Sequence, residues 1–214
     1  MFWRHTEAVG PLACNCSILA DLEAQEAIVV DPGGAPERLL GALAARSLRL
    51  KAIVHTHAHI DHVYATAELA EATGAPAYLH AADRPLYAAL DLQAMWLGLA
   101  PPRRDAMVGE LYDQGALHVG AFELGTVHTP GHSPGSVSFW LPQQALCLTG
   151  DALFRDGVGR TDLPGGDAAL LHQSIERRLL SFEPEVRLVP GHGDETTVGA
   201  ERERWPLWSE RLRG

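Results

Sequence analysis

Short apolar runs recur along this chain, each closed by a turn signal, and their spacing switches between strand-like and helix-like. Ala27 to Val30 runs directly into Asp31-Pro32-Gly33-Gly34, which predicts a buried strand followed by a sharp turn. Leu39, Leu40 and Leu43 repeat at helical intervals within Pro36 to Arg46, and the leading proline suits a first helical turn. Ala52 to Val54 predicts a second strand, Val63 to Thr73 a helix stopped by Gly74, Ala75 to Leu79 a strand and Asp83 to Leu90 a helix. Leu97 to Arg104, with its Pro101-Pro102 pair, reads as an exposed loop able to border a site. The second half repeats the logic, with strands over Ala116 to Val119, Phe122 to Val127, Ser136 to Leu141, Ala145 to Leu148 and Val186 to Val189. Helices are expected over Asp167 to Leu180 and Val198 to Trp208. Strands mixed with helices in two similar halves predict an α/β protein, two packed sheets with helices outside.

Composition adds boundaries. The 214 residues are read as one domain, spanning 1–214, with enough chain for a substantial core. Seventeen Lys+Arg against 27 Asp+Glu give a formal charge of -10, which argues against a nucleic-acid partner. No apolar run approaches the roughly 20 residues that span a bilayer, and Met1 to Glu7 lacks the apolar core of a signal peptide. The expected setting is therefore cytoplasmic, without a membrane partner. Cys14, Cys16 and Cys147 fit reduced thiols, the first two in a core strand from Cys14 to Ala20. Trp205 and Trp208 suit packing either on the core or on a neighbour, so the oligomeric state stays open.

Candidate chemistry concentrates after the Ala52 to Val54 strand, in Thr56-His57-Ala58-His59-Ile60-Asp61-His62. Imidazole and carboxylate hold divalent metals such as zinc or iron, and crowding them without a cation costs desolvation and repulsion. His132 in Pro130-Gly131-His132-Ser133, Asp151 in Thr149-Gly150-Asp151 and His192 in Pro190-Gly191-His192-Gly193 each follow a glycine near a strand end. Glycine allows the tight turn and close backbone approach that aim a side chain inward. Asp61 alone could cap a helix and Asp151 alone could start a turn, but the seven groups together form one ordered pattern. Seven candidate ligands (His57, His59, Asp61, His62, His132, Asp151 and His192) exceed the four of a closed tetrahedral site. They suit two ions that share one carboxylate, roughly 3.5–4 Å apart, with room for water. His5, His80, His118 and His172 read as structural, His55 as a buried hydrogen-bonding group and His128 as a strand-end residue.

H-x-H-x-D-H, a later Gly-His, a Gly-Asp after an apolar strand and a final Gly-His resemble the ordered signature of the metallo-β-lactamase superfamily over nearly the whole chain. Gly150-Asp151-Ala152-Leu153-Phe154 followed by Gly157-Val158-Gly159-Arg160-Thr161-Asp162 resembles its glyoxalase II (hydroxyacylglutathione hydrolase-like) and persulfide dioxygenase branch. The resemblance implies an αββα four-layer sandwich with metals at one edge. By position, His57, His59 and His132 would bind one metal, Asp61, His62 and His192 a second, and Asp151 would bridge them. Two divalent ions are implied, zinc foremost, with iron or manganese as alternatives. The expected reaction is hydrolysis of a small-molecule thioester, such as S-lactoylglutathione, by a metal-bridging hydroxide that Asp61 orients. The alternative is a mononuclear iron persulfide dioxygenase using His57, His132 and Asp151. Arg160, where glyoxalase II carries a lysine, reads either as a contact to a substrate carboxylate or as a structural partner of Asp162. The thiol carrier and the acyl group stay open.

Overall fold

In the computed structural model, which describes residues 1–104, 107–120 and 122–213, the apolar runs become strands with two distinct faces. The first sheet contains β1 (Phe2–Val9), β2 (Cys14–Asp21), β3 (Glu26–Val30), β4 (Arg49–Val54), β5 (Ala77–His80) and β6 (Met107–Leu111), side by side in chain order. The second contains β7 (Ala116–Val119), β8 (Phe122–His128), β9 (Val137–Leu141), β10 (Leu146–Gly150), β13 (Arg187–Pro190) and β14 (Thr196–Thr197). A short hairpin, β11 (Leu153–Phe154) and β12 (Gly157–Val158), lies between β10 and β13 in sequence.

Alternation along the strands sorts the layers. Leu19, Ile28, Val30 and Val54 of the first sheet meet Leu124, Phe139, Leu148 and Val189 of the second in a buried core between the sheets. The opposite face of the first sheet, through Ile18, Ala27, Val29 and Ile53, packs on Leu39 and Leu43 of α1 (Pro36–Ala44). Leu69, within α3 (Thr66–Thr73), joins the same cluster. The outer face of the second sheet, through Cys147 and Leu188, packs on Leu171 of α6 (Ala168–Ser174) and on Val198 and Trp205 of α7 (Val198–Arg213). The result is helix, sheet, sheet, helix, the αββα sandwich that the family resemblance implied. Trp205 and the half-buried Trp208 sit on the chain's own outer layer.

Strand direction positions the site. β3, β4, β5 and β6 run parallel, so their C-terminal ends share one edge. In the second sheet β9 is antiparallel to both β8 and β10, while β13 is parallel to β10, so β8, β10 and β13 also end together. α2 (Ile60–Val63), α4 (Arg84–Ala88) and α5 (Leu90–Leu97) cluster near these ends, with Ile60 and Val63 packed on Leu90 and Ala94.

Some boundaries differ from the sequence reading. The helix expected from Val63 to Thr73 is two helices, α2 and α3, with α2 beginning at Ile60. The one expected from Asp83 to Leu90 is α4 continuing into α5, which runs to Leu97. α6 widens after Ser174 into a π turn over Ile175–Leu179. α7 continues past Pro206 to Arg213, because the outer-layer packing of Trp205 and Leu212 holds it. Phe139 is fully buried between the sheets. Phe139→Ala should lower unfolding free energy by about 3–5 kcal/mol, measured by urea denaturation, with the folded far-UV spectrum retained.

Candidate metal centre

His57 and His59 leave the chain just after β4 ends at Val54, and Asp61 and His62 follow on α2. His132 lies in the loop after β8, Asp151 one residue after β10 and His192 two residues after β13. Two backbone devices aim the carboxylate. The β10–β13 register shifts between Leu148 and Gly150, and such an irregularity turns the strand end. Gly150 then adopts φ +51°, a left-handed conformation that glycine tolerates without strain. Gly191 is required for space, since a Cβ there would lie 2.1 Å from Asp151 Oδ1.

The seven donors expected from the sequence converge. Ligand atoms of His57, His59 and His132 lie within 4.8 Å of one another, as do those of Asp61, His62 and His192. Those of His57, His62 and Asp151 do so as well, which puts the Asp151 carboxylate between the two histidine sets. Asp151 Oδ2 is 3.6 Å from His132 Nε2 and 3.7 Å from His192 Nε2, while Oδ1 is 3.4 Å from His62 Nε2. Asp61 Oδ2 is 3.1 Å from His192 Nε2 and 3.7 Å from His62 Nε2.

These groups fit a cation better than they fit each other. His57 Nε2, His62 Nε2 and Asp151 Oδ1 are buried without a hydrogen-bond partner, and unpaired buried polar atoms are costly. His62 and His132 are anchored from behind through Nδ1, which turns Nε2 of each toward the centre. His62 Nδ1 donates to Asp31 Oδ2 at 3.0 Å, and His132 Nδ1 donates to the Arg160 carbonyl at 2.8 Å. A carboxylate or carbonyl behind a metal-binding imidazole fixes its tautomer and raises its basicity. His57, His59, His132 and Asp151 could hold one divalent ion, and Asp61, His62 and His192 with the same Asp151 a second.

Three supporting residues lay outside the sequence reading of the site. Asp31, taken there as a turn residue, also accepts from the Thr56 amide at 2.7 Å and hydroxyl at 2.6 Å, locking the start of the histidine loop. Asp83 accepts from the Ala58 amide at 2.9 Å, the Ser133 hydroxyl at 2.7 Å and the Gly135 amide at 2.6 Å, joining the two histidine loops. Gln93 of α5 accepts from the Ile60 amide at 2.9 Å and donates to the Ala58 carbonyl at 3.3 Å. A buried acid or amide with no metal motif around it gives no sequence signal of such a role. His55 is buried and bridges the Tyr78 carbonyl and the Thr66 hydroxyl, as its place outside the motif spacing suggested. His128 lies against the Pro134 carbonyl and stacks on His80, away from the centre. The Cys14 thiol, 3.5 Å from His62 Nδ1, is pushed up by burial to about 12 and stays neutral.

The centre forms the floor of a cavity of about 470 Å³. His59, Asp61, His132, Asp151 and His192 reach it from below, while Leu12, Ile60, Leu86, Leu92, Trp96 and Leu97 contribute walls. Arg160 lines its rim, with its guanidinium held by Asp162 through two bonds of 2.7 Å. Both side chains are largely exposed, so this pair adds little stability.

Burial, reinforced by neighbouring imidazoles, depresses His57 strongly and holds His59 at about 3. Burial also depresses His132, although Asp151 partly offsets it. Burial opposes charge on His62 too, but the carboxylates Asp151, Asp61 and Asp31 outweigh it and raise that group. His192 is likewise raised, its desolvation outweighed by Asp61 and Asp151. Burial works against ionisation of Asp61 and Asp151, but His62, His192 and, for Asp151, His132 keep both below the usual carboxylate range.

Comparison with known proteins agrees with this geometry. The pattern of the family described as the Metallo-beta-lactamase superfamily matches residues 9–192. The hydroxyacylglutathione hydrolase GloC of Haemophilus influenzae is 35% identical over 201 residues, covering 92% of this chain and 93% of its own. A crystal structure of the BLEG-1 B3 metallo-beta-lactamase superposes with a TM-score of 0.88 at 35% identity, covering 96% of this chain and 99% of its own. One of TTHA1623 in a di-iron-bound form gives 0.84 at 43% identity, covering 92% and 96%.

The two histidine sets differ in what a metal must displace. In the metal-free protein burial pushes His57, His59 and His132 toward the neutral form, whereas neighbouring carboxylates favour the protonated form of His62 and His192. Lowering the pH from 8 to 6 should therefore weaken the second zinc equivalent more than the first, because the second must displace protons from His62 and His192. Calorimetric zinc titration at several pH values, with proton release read from buffer dependence, measures this. Equal weakening of both equivalents would contradict it.

Proposed function

We propose, from the premise that this chain belongs to the metallo-β-lactamase superfamily, that it is a metal-dependent hydrolase of small-molecule thioesters. The observation that carries the reading is a shared carboxylate, Asp151, set between two donor groups at the floor of an open cavity. The similarity to a hydroxyacylglutathione hydrolase and to a di-iron protein supports it.

Bound divalent cations supply Lewis acidity and a water acidic enough to ionise near neutral pH. Zinc fits the donor set, as do iron and manganese. The chain's own residues provide position and polarity. Asp61, largely buried and ionised, projects onto the floor beside His192 and His62, where it can orient an attacking water and accept its hydrogen bond. His59 and His132 hold the opposite side of the floor, 2.9 Å apart through their ring nitrogens. Water adds at the thioester carbonyl, a C–O bond forms and the C–S bond breaks, giving a carboxylate, a thiol and one proton. A thiolate leaves without strong acid assistance, and this suits a cavity floor of imidazoles and ionised carboxylates. Arg160 at the rim would meet a polar end of the substrate, with its Asp162 pair limiting the free charge it can offer.

Asp61→Asn should keep the fold and lose about 10²-fold or more of kcat on S-D-lactoylglutathione or a simple acyl thioester. Full turnover by that variant would remove Asp61 from the mechanism. Metal analysis of anaerobically purified protein should give two metals per chain. One iron, with oxygen consumed on glutathione persulfide and no thioester turnover, would replace hydrolysis by the dioxygenase reading. Turnover of a β-lactam such as nitrocefin far above that of thioesters would redirect the assignment to amide cleavage.

A further inference from the structure

We infer, on the basis of the thioester reading above, that the preferred substrate carries an apolar arm seated on α5, and is not a multiply charged thiol conjugate. The cavity changes character with height. Its floor is ionisable, but its wall is built from Leu12, Leu86, Leu92, Trp96 and Leu97. Leu12, Leu92, Trp96 and Leu97 are 43–56% exposed, and these four are among the few large apolar side chains in the described residues that face solvent to that extent. Leaving such surface in water is unfavourable, and the cost is recovered only when an apolar group covers it. Because the wall rises from the same cavity whose floor holds Asp61 and Asp151, the group that covers it must belong to the molecule whose carbonyl reaches that floor.

Charge points the same way. Among the described residues lining the cavity, Arg160 is the one Lys or Arg side chain, and one edge of its guanidinium, through Nε and Nη2, is already paired with Asp162, so its charge is largely offset. Glutathione brings two carboxylates and an ammonium. Setting them against Trp96 and the leucines would strip their water without supplying partners. An alkyl arm loses nothing there, and Trp96 offers a broad, rigid face for it. The arm can stand on the acyl side or the thiol side of the ester, since either leads away from the same carbonyl.

Two thioester series separate these sources: acetyl, butyryl, hexanoyl and octanoyl esters of N-acetylcysteamine, and acetyl esters of ethane-, butane-, hexane- and octanethiol. With metal-loaded protein, kcat/KM should rise about two- to fourfold per methylene in the series whose arm meets α5. The octyl member should exceed S-D-lactoylglutathione by tenfold or more. The double variant Leu92→Ala/Trp96→Ala should cut the octyl-to-short ratio about tenfold. Met95→Ala, on the same helix but outside the cavity lining, should leave the ratio unchanged, with thermal melts checking the fold of each variant. A flat response in both series, or faster turnover of S-D-lactoylglutathione than of every alkyl ester, would overturn the inference. Absence of turnover on every thioester would instead fail the parent reading. In that case binding of the matching S-alkyl thioethers by calorimetry still decides the inference: affinity must rise with chain length and fall in the double variant, and no such trend would reject it.

Discussion

Burying ionisable groups without compensation is the constraint around which this molecule is organised. His57, His62 and Asp151 each present a polar atom to a solvent-poor centre with no partner for it. A fold pays such a cost only where something of opposite character enters. Divalent cations meet that requirement, because they attract the carboxylates and accept the imidazole lone pairs at once. The split between depressed and raised histidines follows from the same crowding. His57, His59 and His132 are pushed down because burial and neighbouring imidazoles outweigh the nearby carboxylates, whereas Asp61 and Asp151 together tip His62 and His192 upward.

The scaffold answers by making the centre rigid from behind. Strands of both sheets end at one edge, so short loops suffice to bring the donors together. Asp31 ties Thr56 to His62, and Asp83 ties the loop carrying His57 to the loop carrying His132. Asn15 of β2 reaches the Pro190 and Gly193 carbonyls at 3.0 and 2.8 Å, which fastens the His192 loop to the first sheet. Each tie crosses between elements distant in the chain. Positioning to within a fraction of an ångström is what metal ligation demands.

Much of this was readable before the fold. The H-x-H-x-D-H run and the three Gly-preceded residues name the same seven side chains that the fold gathers, because metal donors are chemically distinctive and their glycines are forced by close approach. Strands with strict apolar character, such as Ala27 to Val30 and Ala52 to Val54, were legible within a few residues of β3 and β4. The N-terminal strand β1 was not, since His5, Thr6 and Glu7 break the apolar alternation and the strand is held by pairing with β2. α5 was missed because Leu90, Leu92, Trp96 and Leu97 point to different sides, some into the Ile60 cluster and some into the cavity. Asp31 and Asp83 carry ordinary turn and cap residue types, and their reach across 25 to 52 positions has no local signature.

On the proposed reading the two characters of the cavity divide the work: the charged floor serves the reaction and the apolar wall selects the substrate. The proposed reaction depends on the floor holding two cations. The most direct test is anomalous diffraction from crystals of the protein loaded with zinc or iron, recorded at the absorption edge of the metal. The account predicts two peaks roughly 3.5–4 Å apart, one among His57, His59 and His132, the other among Asp61, His62 and His192, with Asp151 between them. A loaded crystal with no peak among these side chains, or with a metal held elsewhere, would contradict it.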